Sequence, residues 1–187
     1  LPGSKRPDEY LLYTAHWDHL GKALAFAGDA VFNGAVDNAT GTAVLLELAS
    51  AFGAQKTRPE RSIAFVAFTG EEFGLLGSEY FAAHSPFSLH RIAGGVNIDA
   101  PAPKGRTRDV SVTGLGASEL EDYLREAAQA QQRVLVAESM PEHGYYYRSD
   151  HFNLAKRGVP MLYFEGGVDM REGGTAAGEA WDRDYLT

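Results

Sequence analysis

Residues 62–78 read SIAFVAFTGEEFGLLGS. Ser62 to Thr69 form an unbroken apolar run, the mark of a strand buried on both faces. The run stops at Gly70, and two carboxylates, Glu71 and Glu72, follow side by side. Helical spacing then holds over 72–84 until Ser85-Pro86 ends it. A strand that empties through paired negative charges into a helix raises the question of what stands at its end. A cation would offset the repulsion, and so would the positive end of the following helix.

The rest of the chain repeats this alternation. EYLLYTAHW (9–17) reads as a strand after a turn at 2–8, and NATGTAVLLELASAF (38–52) is spaced for a helix closed by Gly53. Strands are predicted over 94–99, 109–115, 133–139 and 158–166, with helices over 118–132 and 149–157. The tail GGTAAGEAWDRDYLT, rich in Gly and Ala, reads as loop. Strands alternating with helices predict an α/β fold, a three-layer αβα sandwich around a mixed, mostly parallel sheet. No internal repeat and no second domain interrupts residues 1–187.

Composition narrows the chemistry. The 187 residues are 44% hydrophobic and 22% charged, an ordinary balance for one domain with a sizeable core. A net charge of −8 and the lack of a basic stripe argue against a nucleic-acid partner. No apolar run reaches the roughly 20 residues of a membrane span. Without cysteine there is no disulfide and no thiolate site, so a metal would rest on His, Asp and Glu. The chain begins at Leu1 rather than Met, which reads as a processed or excised piece.

In such sheets ligands sit beyond the carboxyl ends of the strands. His16, Asp18 and His19 follow the first strand, Glu71 and Glu72 the third, and Asp99 the fourth. Asp37 precedes the long helix, and His151 precedes the last strand. Alone, each has a plain reading. Asp37 fits a helix N-cap, Asp99 a turn, and His16 or His19 a hydrogen-bonded strand end. Together they form a nitrogen and carboxylate donor set suited to Zn²⁺, with Mn²⁺ or Co²⁺ as substitutes. Two metals a few ångströms apart need a shared carboxylate, and in the set His16, Asp37, Glu72, Asp99 and His151 one bridging Asp would leave two further ligands for each ion. Side chains alternate along extended backbone, so Glu71 and Glu72 can divide the work, one as ligand and one as general base. Asp18, two residues after His16, is placed to accept the other imidazole N–H with its carboxylate.

The segments TAHWDHLG, GAVDNATGTAVLLELA, FVAFTGEEFGLLGS, VNIDA and YYYRSDHFNLAKRGVPMLYF resemble those of the co-catalytic di-zinc aminopeptidases, relatives of glutamate carboxypeptidase and the transferrin receptor ectodomain. The resemblance covers most of the chain in the family's order. It implies that His16 and Asp99 hold one zinc, that Glu72 and His151 hold the other, that Asp37 bridges them, and that Glu71 is the base. It implies a peptide substrate hydrolysed from its N-terminus, and a cis peptide between Asp37 and Asn38. The Tyr145–Tyr147 run reads as packing and pocket wall, with Tyr147 the candidate to help at the tetrahedral intermediate as a tyrosine does in some relatives, and Arg148 is the candidate basic group that a carboxypeptidase would need for a terminal carboxylate. Relatives also include carboxypeptidases, a single-zinc glutaminyl cyclase branch and a non-catalytic receptor branch; the full donor set favours two metals and catalysis. By the same resemblance the protein is expected to be secreted or periplasmic, and the sequence to be a catalytic-domain piece truncated at both ends.

Overall fold

The computed structural model describes residues 1–23 and 28–185. Its main sheet contains β1 (Arg6–His16), β4 (Arg61–Phe68), β5 (Ile92–Asn97), β6 (Asp109–Val112), β7 (Val134–Ala137) and β8 (Met161–Gly166). Two short strands, β2 (Gly21–Lys22) and β3 (Val31–Phe32), form a separate antiparallel ribbon that the sequence reading did not contain. The order across the sheet is β4-β1-β5-β8-β6-β7. Every pairing is parallel except β6 with β8.

The helices are α1 (Ala39–Gly53), α2 (Leu76–His84), α3 (Leu120–Ala130), α4 (His151–Ala155) and α5 (Gly174–Tyr185). From β1 the chain steps through α1 to β4 at the edge, then returns through α2 past β1 to β5. Right-handed crossovers in opposite directions put α1 and α2 on opposite faces. Strand β1 shows the alternation this requires. Leu12 packs into a cluster with Ala82, Ile92, Leu154, Val159 and Met161, on the side of α2 and α4. Its neighbour Tyr13 turns the other way, against Phe65 and against Phe52 of α1. Burying Leu12 and Leu154, both at most 1% exposed, is worth about 1.5–3 kcal/mol each.

Two readings are corrected. The apolar run 62–69 is an edge strand rather than a fully buried one, and Ala64 to Val66 remain half-buried. Leu1 meets its outer side through paired main-chain bonds with Ile63. The tail is a helix over 174–185: Ala177, Ala180 and the residues around them favour helix, and the glycines sit at its start and within its first turns. The last two residues of that predicted loop lie outside the described residues. Among the described residues no helix is long and apolar enough to cross a membrane.

Candidate metal centre

The parallel strands β1, β4 and β5 bring their carboxyl ends to one edge, and the polar residues converge there. His16 closes β1 and is 1% exposed. Its Nδ1 faces the main-chain carbonyl of Asp18 at 3.1 Å. Nε2 is thereby aimed at Asp37 Oδ1 and Asp99 Oδ1, each 3.1 Å away. The Asp18 carboxylate was expected to take the role its carbonyl performs. β1 ends at His16, so the two-residue alternation no longer applies. The carboxylate lies 3.7 Å from Nδ1 and accepts the Glu71 N–H at 3.4 Å instead.

Asp99 is held from behind by a relay of buried side chains. Ser149 donates to Asp99 Oδ2 at 2.5 Å, Asn97 donates to Ser149 at 2.7 Å, and Thr14 donates to Asn97 at 2.7 Å. Polar groups this deep need partners, and this chain supplies them in series. Thr14 and Asn97 lie inside apolar strands, which was the available signal for the relay; neither they nor Ser149 were singled out from sequence.

The Asp37–Asn38 peptide is cis, as the resemblance implied. Asn38 then ties the Asp37 turn to the Asp99 segment. Its Oδ1 accepts the N–H groups of Gly41 and Ala100, both at 3.0 Å, and its Nδ2 donates to the Ile98 carbonyl at 3.1 Å. A Cβ on Gly41 would come within 2.1 Å of Asn38 Oδ1, so α1 must open on glycine there.

Glu71 and Glu72 lie in the turn after β4, and helix α2 begins only at Leu76. The turn sends them to two separate donor groups. Ligand atoms of His16, Glu71 and Asp99 lie within 4.8 Å of one another, and so do those of His19, Asp37 and Glu72. His19, read from sequence as structural, has Nδ1 2.5 Å from Glu72 Oε1. β1 runs parallel to β4 with His16 opposite Phe68, so the segment after β1 brings His19 beside the turn after β4.

The electrostatics are those of an anionic nest. Burial works to lower the His16 pKa, but the Asp37 and Asp99 hydrogen bonds, with the charges of Asp99 and Glu71, raise it to about 11. A proton on His16 thus serves as the counter-cation. Burial, followed by the charge of Asp99, raises Glu71 to about 8. Asp18 Oδ2 and Asp37 Oδ1 are buried without a hydrogen bond of good geometry. Two imidazoles and four carboxylates that lack enough donors fit a divalent cation of the zinc type.

His151 stands outside both groups. It is fully buried, its ring edge-on to Tyr146 and tilted against Tyr163, with neither nitrogen in a hydrogen bond of good geometry. Burial pushes its pKa down to about 4. Asp150 beside it is equally buried and pushed up to about 6 by that burial. Tyr147 is exposed, its ring edge-on to Tyr146 and Phe152, and Arg148 lies over the Tyr145 ring. Among the described residues, neither shares a hydrogen bond or ion pair with the six clustered donors.

The sequence from residue 1 to 185 matches peptidase family M28. The chain belongs to this family. As an M28 chain it is 42% identical over 100 residues to a probable zinc metalloprotease of Pyrenophora tritici-repentis, covering 53% of this chain and 22% of that protein. It is 36% identical over 104 residues to aminopeptidase NAALADL1 of Mus musculus, covering 53% and 12%. The matched stretch is thus less than a quarter of either relative's length. Among solved structures, the aminopeptidase from Aneurinibacillus sp. strain AM-1 superposes with a TM-score of 0.69 at 24% identity, over 98% of this chain and 43% of that one. Porphyromonas gingivalis glutaminyl cyclase gives 0.63 at 23%, over 91% and 63%. At these identities the two structures share the fold with the M28 chain: a mixed, mostly parallel six-stranded sheet flanked by helices.

Proposed function

We propose that this M28 chain carries the catalytic centre of a zinc aminopeptidase acting on peptides. The observation that carries the reading is the pair of adjoining three-donor groups at one sheet edge, linked by the contact of His16 with Asp37. His16 and Asp99 would hold one zinc, Glu72 the second, and Asp37, which touches His16 while lying within the Glu72 group, would bridge. Zinc bound there supplies Lewis acidity, which polarises a carbonyl and acidifies water.

The chain's own groups do the rest. The Asp18 carbonyl fixes the ring orientation of His16, and Ser149 fixes Asp99, so both present their free atoms to the same point. Glu71, set beside His16 and Asp99 but apart from the Glu72 group, takes a proton from the attacking water and returns it to the leaving amine. Beside a bound cation the raised pKa of Glu71 would fall toward neutrality, the range in which a base both accepts and releases a proton. The imidazole of the second position is either His19, which lies beside Glu72, or His151, which the family resemblance favours. A cyclase reading asks for one metal; two separate donor groups support two.

Zinc content of the purified chain tests this directly. About two ions per chain are expected, with a sharp fall in Asp37→Ala because both positions lose a ligand. No zinc on a folded sample given excess metal would overturn the reading.

A further inference from the structure

A second polar site lies on the same edge of the sheet, away from the metal centre. Three chain segments meet there, each bringing one guanidinium: Arg106 before β6, Arg133 before β7, and Arg171 after β8. Together with Gln131, Gln132 and Thr107 they line a cavity of about 420 Å³. The segments are fixed by main-chain bonds, Arg171 N to the Arg106 carbonyl at 2.9 Å and Arg133 N to the Ala128 carbonyl at 2.9 Å. The backbone of all three segments is therefore fixed before any ligand arrives.

Their pairing is incomplete. Arg133 donates through Nη2 to Thr107 Oγ1 at 2.6 Å and to the Asp109 carbonyl at 2.7 Å, but its Nε is buried without a partner. Arg171 donates to the Gln131 carbonyl at 2.8 Å, and among the described residues no carboxylate pairs with it or with Arg106. The nearby acids are engaged: both Asp109 oxygens accept main-chain N–H groups of Val168 and Asp169, and Asp169 pairs with Arg108 at 2.9 Å. Burial lowers the Arg133 pKa, the Asp109 charge opposes that, and the charge of Arg171 adds to the lowering. Cations that repel one another across a cavity, in a chain of net charge −8, call for a bound anion.

We propose that this cavity binds an oxyanion, held by the forked guanidinium donors that match carboxylate and phosphate oxygens. Register places it relative to the metal centre. β8 is parallel to β5, and β6 runs back from the end of β8, with Val110 opposite Gly166. The starts of β6 and β7 therefore lie on the edge that carries Asp99, two and three strands along. At roughly 4.8 Å per strand that is about 10–15 Å, the reach of three or four extended peptide residues. A carboxylate on a substrate peptide is one source of the oxyanion, a part of the inference that rests on the peptidase reading. A free inorganic oxyanion is the other source.

Calorimetric titration with inorganic phosphate, against chloride at equal ionic strength, tests the site without any turnover. Phosphate taken up at the metal centre would be common to all variants, so the difference between them isolates the arginine cavity. Saturable binding, weakened about tenfold or more in Arg106→Gln and in Arg171→Gln, is expected, since each loses a charge-assisted hydrogen bond to the anion. Both side chains are exposed and make few contacts, so these variants should fold. Binding unchanged in both, or no binding beyond that of chloride, would overturn the proposal. A C-terminally amidated tetrapeptide with Glu at its fourth position, compared with its amidated Gln counterpart, then identifies the source. Displacement of phosphate by the Glu peptide alone assigns the site to substrate, and phosphate bound without displacement assigns it to the free ion.

Discussion

The two donor groups differ in how they are held. His16 and Asp99 are anchored at the ends of central strands and backed by a hydrogen-bonded chain through Ser149 and Asn97 to Thr14. His16 is 1% exposed, and the Asp99 side chain 11%. The second group sits outside the strands: the Asp37 side chain is 48% exposed, and His19 and Glu72 meet between the segments that follow β1 and β4. Rigid placement precedes affinity, because a ligand that must be ordered costs conformational entropy when metal binds. The first position should therefore hold zinc more tightly than the second, and chelator should strip the second position before the first.

Glu71 belongs to the buried group yet is assigned the proton rather than the metal. Glu71→Gln should lower turnover about 10²–10⁴-fold, the usual contribution of a general base, while zinc content stays unchanged. Full activity in this variant would remove Glu71 from the mechanism. Loss of zinc together with activity would make it a ligand and reverse the roles of the two glutamates.

The exposed group is sharpened by its imidazole. If His19 completes the second position, His19→Ala should bring zinc content from about two toward one, with His151→Gln keeping both ions. The reverse pattern would assign His151. Two ions retained in both variants would sink both assignments. Gln at 151 is preferred to Ala because the ring packs against Tyr146 and Tyr163, and truncation there opens a cavity.

The tight position rests on Ser149 more than on any residue in the turns. Ser149→Ala removes the donor to Asp99 Oδ2 and leaves that oxygen and Asn97 Nδ2 without their shared partner. Zinc affinity of the tighter site should fall about 10–100-fold, with the weaker site little changed. Equal weakening of both sites would mean that the relay supports the fold in general rather than Asp99 in particular.

The same contrast marks what could be read without a structure. His16, Glu71, Glu72 and Asp99 were legible because each follows a recognisable strand, and the carboxyl ends of parallel strands share an edge. Local pattern carries that information. The partnership of His19 with Glu72, and of Ser149 with Asn97 and Asp99, spans 50 or more residues, which no spacing encodes. The Asp18 carboxylate was placed by strand alternation one step past the point where the strand ends. Helix α5 was hidden by composition: glycines at 173, 174 and 178 outweighed the alanines around them, although tertiary contacts such as the Lys104–Asp182 ion pair hold that segment. β4 was read as buried on both faces from its apolar run, whereas it lies at the sheet edge, its outer side met by the main chain at Leu1 and Ala64 to Val66 left half-buried.

The smallest expected effect is on stability, and its sign separates metal-free from loaded protein. Glu71 has its pKa raised by burial from 4.5 to about 8. For a group raised on folding, the stabilising contribution is complete below the unfolded value and is lost as pH rises through the folded one. His151 works oppositely: its pKa is lowered to about 4, so it costs stability as pH falls below its ordinary 6.5. Above pH 6.5 the imidazole no longer contributes, and the metal-free chain should lose melting temperature toward pH 9 as Glu71 ionises beside Asp99. Glu71→Gln cannot ionise, so at pH 9 it should melt a few degrees above the metal-free parent, since about 1 kcal/mol moves a chain of this size by some 2–4 °C. Zinc should abolish the difference, because a cation welcomes the charge that burial opposes. Melting curves at pH 6.5 and pH 9, with and without zinc, would show it. A variant no more stable than its parent at pH 9 would mean that Glu71 already meets water, and the buried half of the comparison would then rest on His16 and Asp99 alone.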